Sequence, residues 1–268
     1  MPVASLIRRS CLALAFAAFG NFALAQAPQP TPVTPPSYQP SSGQEGKDVI
    51  WIPTPQVVVD RMLDMAKVTP RDFVMDLGSG DGRTVITAAL RGARAVGVEY
   101  NPDMVEYSRR NAEKAGVTGK ATFVKADLFE TDFSKASVIT MFLLPDINLK
   151  LRPKIHKLKP GTRIVSNSFT MGEWKEDERA ELSQDAGCNV SWCTALLWIV
   201  PAHVAGFYKV PQGDLVLKQS YQLLSGTLAT GGKTYAIEGK VRGEDIAFKA
   251  NGKQYSGKLH GKTLELRG

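Results

Sequence analysis

The sequence predicts an α/β fold in which a mostly parallel sheet carries helices on both faces. Short apolar runs alternate with stretches of helical periodicity from about residue 50 to about residue 170. Strands that alternate with helices require crossover connections, and such connections produce parallel pairing. The chain has 268 residues and 43% hydrophobic content, which is enough for one full-sized core and leaves room for a small additional unit.

The predicted elements begin with a helix over residues 56–68, where Val58, Met62 and Met65 recur at helical spacing. Five strands follow at FVMDL, AVGVEY, ATFVKADLF, ASVITMFLL and TRIVSNSF, with helical segments between most of them. After Trp174, the polar stretch KEDERAELSQDA predicts another helix. The apolar run NVSWCTALLWIVPAHVAGFY then predicts an antiparallel pair that completes a seven-stranded sheet.

The chain after about Leu215 has a different pattern, in which glycines separate short alternating stretches that form an imperfect repeat. We predict a small antiparallel β meander within a β-rich unit spanning residues 205–268. This unit holds ten basic and five acidic side chains. Because they are spread singly, a solvated surface is the favoured interpretation, and contact with an anionic or protein partner is the alternative.

The N-terminal residues have the pattern of a secretory signal. Arg8 and Arg9 precede an apolar run, and Ala23-Leu24-Ala25 offers a small-x-small cleavage site. We predict a signal peptide over residues 1–25 and export to the periplasm, with an uncleaved membrane anchor as the alternative. Residues 26–45 are proline-rich and are predicted to form a linker, so that the main folded domain spans residues 46–204.

Two cysteines, Cys188 and Cys193, remain after removal of the signal peptide. An exported protein can form disulfides, but a separation of five along one strand would place the two side chains on opposite faces. We therefore predict two buried free thiols. The sequence has no histidine cluster and no Cys-x-x-Cys pattern, so no metal site is predicted.

The segment VMDLGSGDGR, at residues 74–83, places a glycine-rich turn between the first strand and a helix. Such turns lie at the carboxyl edge of the sheet, where α/β folds bind their ligands. A dinucleotide fingerprint would need a glycine in place of Arg83 and a turn free of acids for the pyrophosphate. A Walker phosphate loop would need a Lys-Ser/Thr pair after the turn. The sequence meets neither requirement.

The acids around this turn favour a ligand that carries positive charge. Asp76 and Asp81 flank the glycines, and S-adenosylmethionine has both an ammonium and a sulfonium group. Glu99 ends the next strand, where a carboxylate can accept hydrogen bonds from ribose hydroxyls. Asp127 ends the third strand and is predicted to accept from an adenine amino group. Acids on three successive strand ends therefore predict S-adenosylmethionine as the cofactor.

The motifs VMDLGSGDGR, VGVEYNP and KADLF resemble those of class I S-adenosylmethionine-dependent methyltransferases, over roughly residues 50–200. WIPTP, at residues 51–55, is similar to a branch that includes the protein-lysine methyltransferases acting on the adenine nucleotide translocase and the ATP synthase c-subunit. The resemblance implies a Rossmann-like seven-stranded sheet and a lid that contains Thr54. The residues it implies for cofactor binding are Thr54, Asp76, Gly78, Ser79, Gly80, Asp81, Glu99 and Asp127.

Methyl transfer depends mainly on alignment of the acceptor and on exclusion of water. The segment after the fourth strand is where class I enzymes present groups to the substrate. Phe142, Leu144 and Pro145 are predicted to wall an acceptor channel, and Asp146 or Asn148 to accept a hydrogen bond from an amine. For Asp146 the alternative is that it only caps the next helix.

Methyl transfer to an amine, with a protein lysine as the favoured acceptor, is the predicted function. A small-molecule methyltransferase would share every cofactor residue. A non-catalytic exported binding protein is the third interpretation, because an exported protein meets little S-adenosylmethionine. Nucleic acid is not predicted as a partner. Trp51 and Trp174 are candidates for the channel entrance, with core packing as the alternative for each.

Overall fold

The computed structural model describes residues 38–261 and 263–267. The predicted signal peptide and residues 26–37 of the predicted linker lie outside these ranges. Residues 38–45 of that linker pack on the protein: the carbonyl of Tyr38 accepts from Arg110 at 2.9 Å, and its ring meets Tyr107 edge-on. Residues 38–45 therefore contact the folded domain, and Tyr38 is one of the residues that anchor them.

The first sheet has seven strands in the order β3-β2-β1-β4-β5-β7-β6. They are β1 (Phe73–Leu77), β2 (Arg94–Glu99), β3 (Ala121–Lys125), β4 (Val138–Met141), β5 (Arg163–Asn167), β6 (Glu178–Glu181) and β7 (Thr194–Ile199). The helices are α1 (Gln56–Met65), α2 (Arg83–Leu90), α3 (Pro102–Lys114) and α4 (Pro145–Ile155). Strands β1 to β5 pair in parallel, and β7 runs antiparallel to β5 and β6. The predicted Rossmann-like sheet is confirmed.

Local sequence explains how this sheet is covered on both faces. Val74 of β1 belongs to one buried cluster, whereas Met75 and Leu77 belong to the other, as the alternation of side chains along a strand requires. Helix α3 begins after Asn101, whose Oδ1 accepts from the backbone N–H of Asp103 at 2.9 Å. The helices that follow β1, β2 and β4 begin a few residues after each strand, so the carboxyl ends of these strands lie together at one edge.

The antiparallel pair that ends this sheet uses different segments from those predicted. KEDERAELSQDA does not form the predicted helix: its residues Glu178–Glu181 form β6 at the sheet edge, and only its last three residues form a short 3-10 helix. An edge strand has one open side, so it tolerates charged residues that would also suit a helix. The apolar run contributes only β7 to this sheet, and its last residues, from Gly206, begin the second sheet.

The second sheet is antiparallel and has seven strands in consecutive order. They are β8 (Gly206–Val210), β9 (Gly213–Ser220), β10 (Leu223–Thr230), β11 (Lys233–Arg242), β12 (Asp245–Ala250), β13 (Lys253–His260) and β14 (Thr263–Arg267). In β12, Ile246, Phe248 and Ala250 are buried and the residues between them are exposed. The first and last strands approach each other. The antiparallel class was predicted correctly, but the sheet is nearly barrel-shaped and larger than the expected small meander.

Aromatic side chains connect the two sheets. Trp174 is fully buried, and the ring of Tyr221 stacks on it with centroids 5.8 Å apart. Beside this pair, Nε2 of Gln222 donates to the carbonyl of Lys175 at 2.6 Å. Trp174 is therefore part of the packing between the sheets, which was the alternative to its place at a channel entrance.

Cys188 and Cys193 form a disulfide, so the prediction of two free thiols was wrong. The two residues do not share a strand: Cys188 follows a short 3-10 helix (Gln184–Ala186), and Cys193 immediately precedes β7. The chain turns between them and brings their Cα atoms to 6.0 Å, within the usual range for a disulfide. The alternation of side chains, on which the prediction relied, applies only within a strand.

Two properties concern only the residues that the structure describes. None of their helices combines the length and the apolar character needed to cross a bilayer. They also contain no group of three or more histidine, cysteine or acidic side chains placed to hold a metal ion.

Candidate active site

A cleft lies at the carboxyl edge of β1, β2 and β3 and has a volume of about 1050 Å³, counting the part that is open to solvent. Every residue predicted to bind the cofactor lines it, namely Thr54, Asp76, Gly78, Ser79, Gly80, Asp81, Glu99 and Asp127. Parallel strands end at a common edge, so residues far apart in the sequence meet there.

The glycine turn brings the backbone close to the segment that precedes α1. Gly80 has φ +52, and a β-carbon built at this position would overlap the indole of Trp51. Only glycine therefore lets Trp51 lie against the turn. Ser79 is buried, and its hydroxyl finds no hydrogen-bond partner among the described residues. The turn is thus closely covered on one side and keeps an unused hydrogen-bonding group.

Asp76 is the most perturbed acid of the cleft. Its side chain is buried, with 6% of the residue exposed, and Oδ1 accepts a hydrogen bond from the Thr140 hydroxyl at 2.5 Å. Burial is the main reason that the pKa of Asp76 is raised to about 7; the Thr140 bond opposes it, and the charges of Asp81 and Glu99 add to it. A cation placed beside this carboxyl group would stabilise its charged form, so the site favours a positively charged ligand group.

Asp81 has a partner inside the protein. The Arg83 guanidinium donates to Oδ2 of Asp81 from two nitrogens, at 3.0 and 2.6 Å, and also to the carbonyl of Thr54 at 2.8 Å. The charge of Asp81 is therefore compensated locally, and Arg83 ties Thr54 to the glycine turn. The sequence argument treated both acids of the turn as attractors of a cation, and the structure assigns that property mainly to Asp76.

Glu99 holds the edge of the cleft together. Its Oε2 accepts from the backbone N–H of Gly80 at 2.9 Å, and its Oε1 accepts from that of Asn101, also at 2.9 Å. Each carboxylate oxygen has a second acceptor site. Glu99 can therefore still accept from two hydroxyl groups of a ligand.

Asp127 forms an ion pair with Lys47, and its Oδ1 also accepts from the backbone N–H of Phe129 at 2.9 Å. The two hydrogen bonds are the largest causes that lower the pKa of Asp127, that of Lys47 first. The ammonium of Lys47 also lies 4.9 Å from the ring centroid of Tyr100. Lys47 is thus paired with the carboxylate that the sequence predicts to bind the adenine of the cofactor.

Lys47 belongs to a segment of which the sequence predicted only the part around Thr54 to cover the cofactor. Residues 38–54, which we call the N-terminal strap, cross the cleft, and Gln44, Lys47 and Trp51 line it. The backbone N–H of Trp51 donates to the carbonyl of Gln44 at 2.8 Å, which folds the strap on itself. The sequence features that indicated a segment over the cleft were the motif WIPTP and, within it, Trp51. The contact of Lys47 with a residue 80 positions later has no spacing pattern that a sequence reveals.

The two catalytic candidates do not line the cleft. Asp146 is exposed in the first turn of α4, and it does not cap the helix either, because Leu144 occupies that position. Asn148 is fully buried, and its Nδ2 donates to the carbonyls of Phe169 and Thr170 at 3.2 and 3.3 Å. Asn148 therefore holds a neighbouring loop instead of facing the cofactor.

Of the three predicted channel residues, only Phe142 lines the cleft. Leu144 is 46% exposed, and Pro145 is exposed at the start of α4. Leu143 and Ile147 line the cleft in their place. The apolar surface is present as predicted, but the chain direction at the start of α4 decides which side chains supply it.

Comparison with known proteins identifies the family. A family model described as the ANTKMT methyltransferase domain matches residues 76–178. A protein-lysine N-methyltransferase of Saccharolobus islandicus is 46% identical over 158 residues, which are 58% of this chain and 96% of that protein. The chain belongs to the ANTKMT methyltransferase family. The human lysine N-methyltransferase named for the ATP synthase c-subunit is 36% identical to this ANTKMT-family chain, over 47% of the chain and 54% of the human protein.

A solved structure agrees with this family. It is titled as an RNA methyltransferase from Salinibacter ruber in complex with S-adenosyl-L-homocysteine, and it is 46% identical with a TM-score of 0.53. The match covers 57% of this chain and 96% of that one. As a member of the ANTKMT family, the protein is an S-adenosylmethionine-dependent methyltransferase. The second sheet begins at Gly206, beyond the residues that the family model matches.

The residues of the cleft fit this cofactor. Asp76 is a buried acid that accepts only a hydroxyl hydrogen bond from the described residues, Ser79 has an unused hydroxyl, and Glu99 has spare acceptor sites. When bound, S-adenosylmethionine supplies an electrophilic methyl group attached to a sulfonium. The protein contributes binding, orientation and exclusion of water.

Proposed function

We propose that this ANTKMT-family enzyme methylates the ε-amine of a lysine in a protein. The observation that carries the proposal is the apolar end of the cleft, where Phe142, Leu143 and Ile147 lie beyond the glycine turn. A lysine amine has a pKa of about 10.4 in water and must lose its proton before it can act as a nucleophile. An apolar wall disfavours the ammonium form and so favours the reactive amine.

We propose that the turn side of the cleft holds the methionine end of the cofactor. Asp76 accepts from the cofactor's ammonium, and Gly78 and Gly80 let the ligand lie against the backbone. Ser79 supplies a hydroxyl. Asp81 acts through Arg83, which keeps Thr54 of the lid in place. The raised pKa of Asp76 and the absence of a cationic partner for it within the described residues support this orientation.

At the other end we propose that Glu99 accepts from both ribose hydroxyls and that Asp127 accepts from the adenine amino group. The spare acceptor sites of Glu99 support the first role. The second requires Lys47 to move, because it is paired with Asp127 in the structure. The N-terminal strap is thereby the lid that the cofactor must displace and that closes over it afterwards.

The relatives differ in the acceptor that their names give. The archaeal relative is named for protein lysine, whereas the structural relative of equal identity is titled as an RNA methyltransferase. Lysine is favoured here because the wall next to the glycine turn is apolar. A nucleic-acid site would instead need several cations to contact phosphates.

Isotope transfer tests the acceptor. Mature protein is incubated with methyl-labelled S-adenosylmethionine and a periplasmic protein extract, and methylated sites are located by peptide mass mapping. We expect label on lysines, and we expect prior acetylation of the extract's lysines to abolish it. Label that ribonuclease removes would favour RNA, and label that passes a small-pore filter would favour a small molecule. The Glu99→Ala variant is the control for cofactor-dependent transfer.

We also propose that the protein is exported. The basic and apolar N-terminal pattern supports this, and so does the Cys188–Cys193 disulfide, since disulfides persist in oxidising compartments. N-terminal sequencing of protein from fractionated cells tests it, with Gln26 expected as the first residue. An intact Met1 in the cytoplasmic fraction would contradict the proposal.

We propose that the second sheet, within residues 205–268, contacts an anionic or protein partner. The excess of basic side chains supports this. Co-purification with the full-length chain, compared with a chain that ends at Val204 and is shown to remain folded, tests it.

A further inference from the structure

Three aromatic rings continue the cleft on its apolar side. Phe142 lines the cleft, and Phe169 stacks on it with centroids 5.8 Å apart and an interplanar angle of 16°. Trp192 lies 6.4 Å from Phe142 and is tilted by 41°. Each of the three is half-buried, so part of every side chain remains accessible. We call these residues the aromatic wall.

The topology of the sheet brings these rings together. Phe142 directly follows β4, and Phe169 comes two residues after β5. Strand β7 is antiparallel to β5, with Asn167 opposite Ala195. Trp192 precedes β7 by two residues, and it therefore lies at the edge where β4 and β5 end.

The backbone around Phe169 is held in a strained turn. Ser168 has φ +59, and the N–H of Phe169 donates to the carbonyl of Asn167 at 2.6 Å, which is a γ-turn. Asn148 donates to the carbonyl of Phe169 and so fixes this turn from α4. Strained turns persist where surrounding contacts hold them, and they are concentrated at functional sites. Asn148 is thus a positioning residue for the aromatic wall.

The disulfide anchors Trp192. Cys193 is the next residue, and both cysteines are buried in the core cluster that lies under α1. The carbonyl of Cys193 accepts from the backbone N–H of Leu182 at 2.8 Å. The backbone on the C-terminal side of Trp192 is therefore fixed, while its side chain remains half-exposed.

We propose that the aromatic wall is the acceptor-specificity site and that it first binds the arm of the methyl acceptor as an alkylammonium. The arm loses its proton to water as the amine passes to the apolar end of the cleft. Aromatic rings attract cations that approach within about 6 Å of their centroids, and they also cover methylene groups. The wall therefore distinguishes an amine from an alcohol of the same length. The inference rests on the proposed methylation of an amine, because it names the residues that select that acceptor.

Fluorine NMR of protein labelled with 5-fluorotryptophan tests the wall without turnover. Adenosylhomocysteine is present throughout, and n-butylammonium or 1-butanol is the probe. The Trp192 resonance is assigned with Trp192→Phe. We expect it to shift saturably with n-butylammonium, with affinity about fivefold higher than for 1-butanol, while the resonances of Trp174 and Trp198 do not change.

Matched variants separate the wall from its surroundings. For the variants, binding is followed through the proton resonances of n-butylammonium itself, because Trp192→Ala removes the fluorine reporter. Phe169→Ala and Trp192→Ala should weaken n-butylammonium binding about fivefold or more. Val190→Ala, in the same disulfide-closed loop and 43% exposed, should leave it unchanged. Equal binding by Trp192→Ala and Val190→Ala, or equal affinity for the amine and the alcohol, would overturn the proposal.

Reduction of the wild-type protein tests the anchor without a mutation. A phosphine reductant is oxidised as the disulfide takes up two electrons and two protons to give two thiols. We expect the Trp192 resonance to move and the amine affinity to fall several-fold, with adenosylhomocysteine affinity unchanged. An unmoved resonance after complete reduction would refute the anchoring role. Amine binding at the aromatic wall can be measured without methyl transfer. A protein that binds the amine but methylates no lysine would therefore contradict the proposed function and leave the binding role of the wall intact.

Discussion

The two sheets have the same number of strands and use their residues in opposite ways. In the first sheet the central strands are buried on both faces, and polar groups collect where the parallel strands end. In the second sheet, side chains along strands such as β12 alternate between a buried face and an exposed face. The first sheet therefore gathers its polar side chains at one edge, whereas the second sheet has its charged side chains spread over its exposed face.

This difference follows from strand direction. Parallel strands all present their carboxyl ends at one edge, so Asp76, Glu99 and Asp127 meet there. Antiparallel neighbours end at opposite edges, so consecutive strands do not gather their ends. We therefore expect changes in the second sheet to affect stability and changes at the edge of the first to affect ligand affinity.

The largest effect is expected for Gly226→Ala in β10. Gly226 has φ +141, and an added β-carbon would overlap the carbonyl of Val216 in the neighbouring strand. We expect a loss of roughly 2–4 kcal/mol in the free energy of unfolding, measured by denaturant titration. Gly231→Ala is the matched control, because its φ of +56 is also positive but its β-carbon would meet open space. Equal losses for the two variants would show that the carbonyl overlap is not the cause.

Glu99→Ala is expected to act on the cofactor. Loss of charge-assisted hydrogen bonds should weaken S-adenosylhomocysteine binding by about 1.5–3 kcal/mol in isothermal titration. Glu113→Ala, an exposed acid near the end of α3, is the control. Denaturant titration of both variants is needed, because Glu99 also accepts from Gly80 and Asn101. Unchanged affinity in a folded Glu99→Ala protein would refute its ribose role.

Asp76→Asn is expected to change pH dependence. The pKa of Asp76 is raised to about 7 in the folded protein, above its ordinary value of 3.8. Its contribution to stability is therefore present below about pH 4 and is lost as the pH rises through 7. A bound cation favours the carboxylate, so wild-type affinity for S-adenosylmethionine should rise by up to about tenfold per pH unit between pH 6 and 7.

Asp76→Asn should remove this part of the pH dependence in both measurements. The difference between the two proteins isolates Asp76 from the cofactor's own titration. If the two affinity profiles are parallel across this range, the carboxylate does not bind the ammonium.

Lys47→Ala is expected to have the smallest effect. Its ion pair with Asp127 is partly exposed, with 34% and 26% of the two side chains accessible, so it is screened by solvent. Removing it should free Asp127 and tighten S-adenosylhomocysteine binding a few-fold, more at low salt than at high salt. Lys125→Ala, at the end of β3, is the control. Weaker binding by Lys47→Ala would show that Lys47 helps to hold the cofactor and does not compete with it.

The sequence by itself determined the class of the first sheet and the acids and glycines that line the cleft. Apolar runs of strand length, helical periodicity and acids at strand ends are local patterns, and a parallel sheet places such ends together whatever their distance along the chain. Strand-length alternation also predicted an antiparallel sheet in the C-terminal quarter of the chain. It did not predict that the first and last strands of this sheet approach each other, because that depends on how strand twist accumulates between β8 and β14.

Only the tertiary structure decided how the cleft is covered and which side chains form its apolar side. Lys47, just after the predicted linker, pairs with Asp127 across 80 positions of the sequence. Asn148 is buried because α4 packs against the loop after β5, whose carbonyls accept from its amide. Glu178–Glu181 is a strand because β7 offers it an open edge, although its charged residues suit a helix equally well. The disulfide forms because the chain turns between its cysteines. Each of these outcomes depends on contacts between distant segments, which local spacing does not encode.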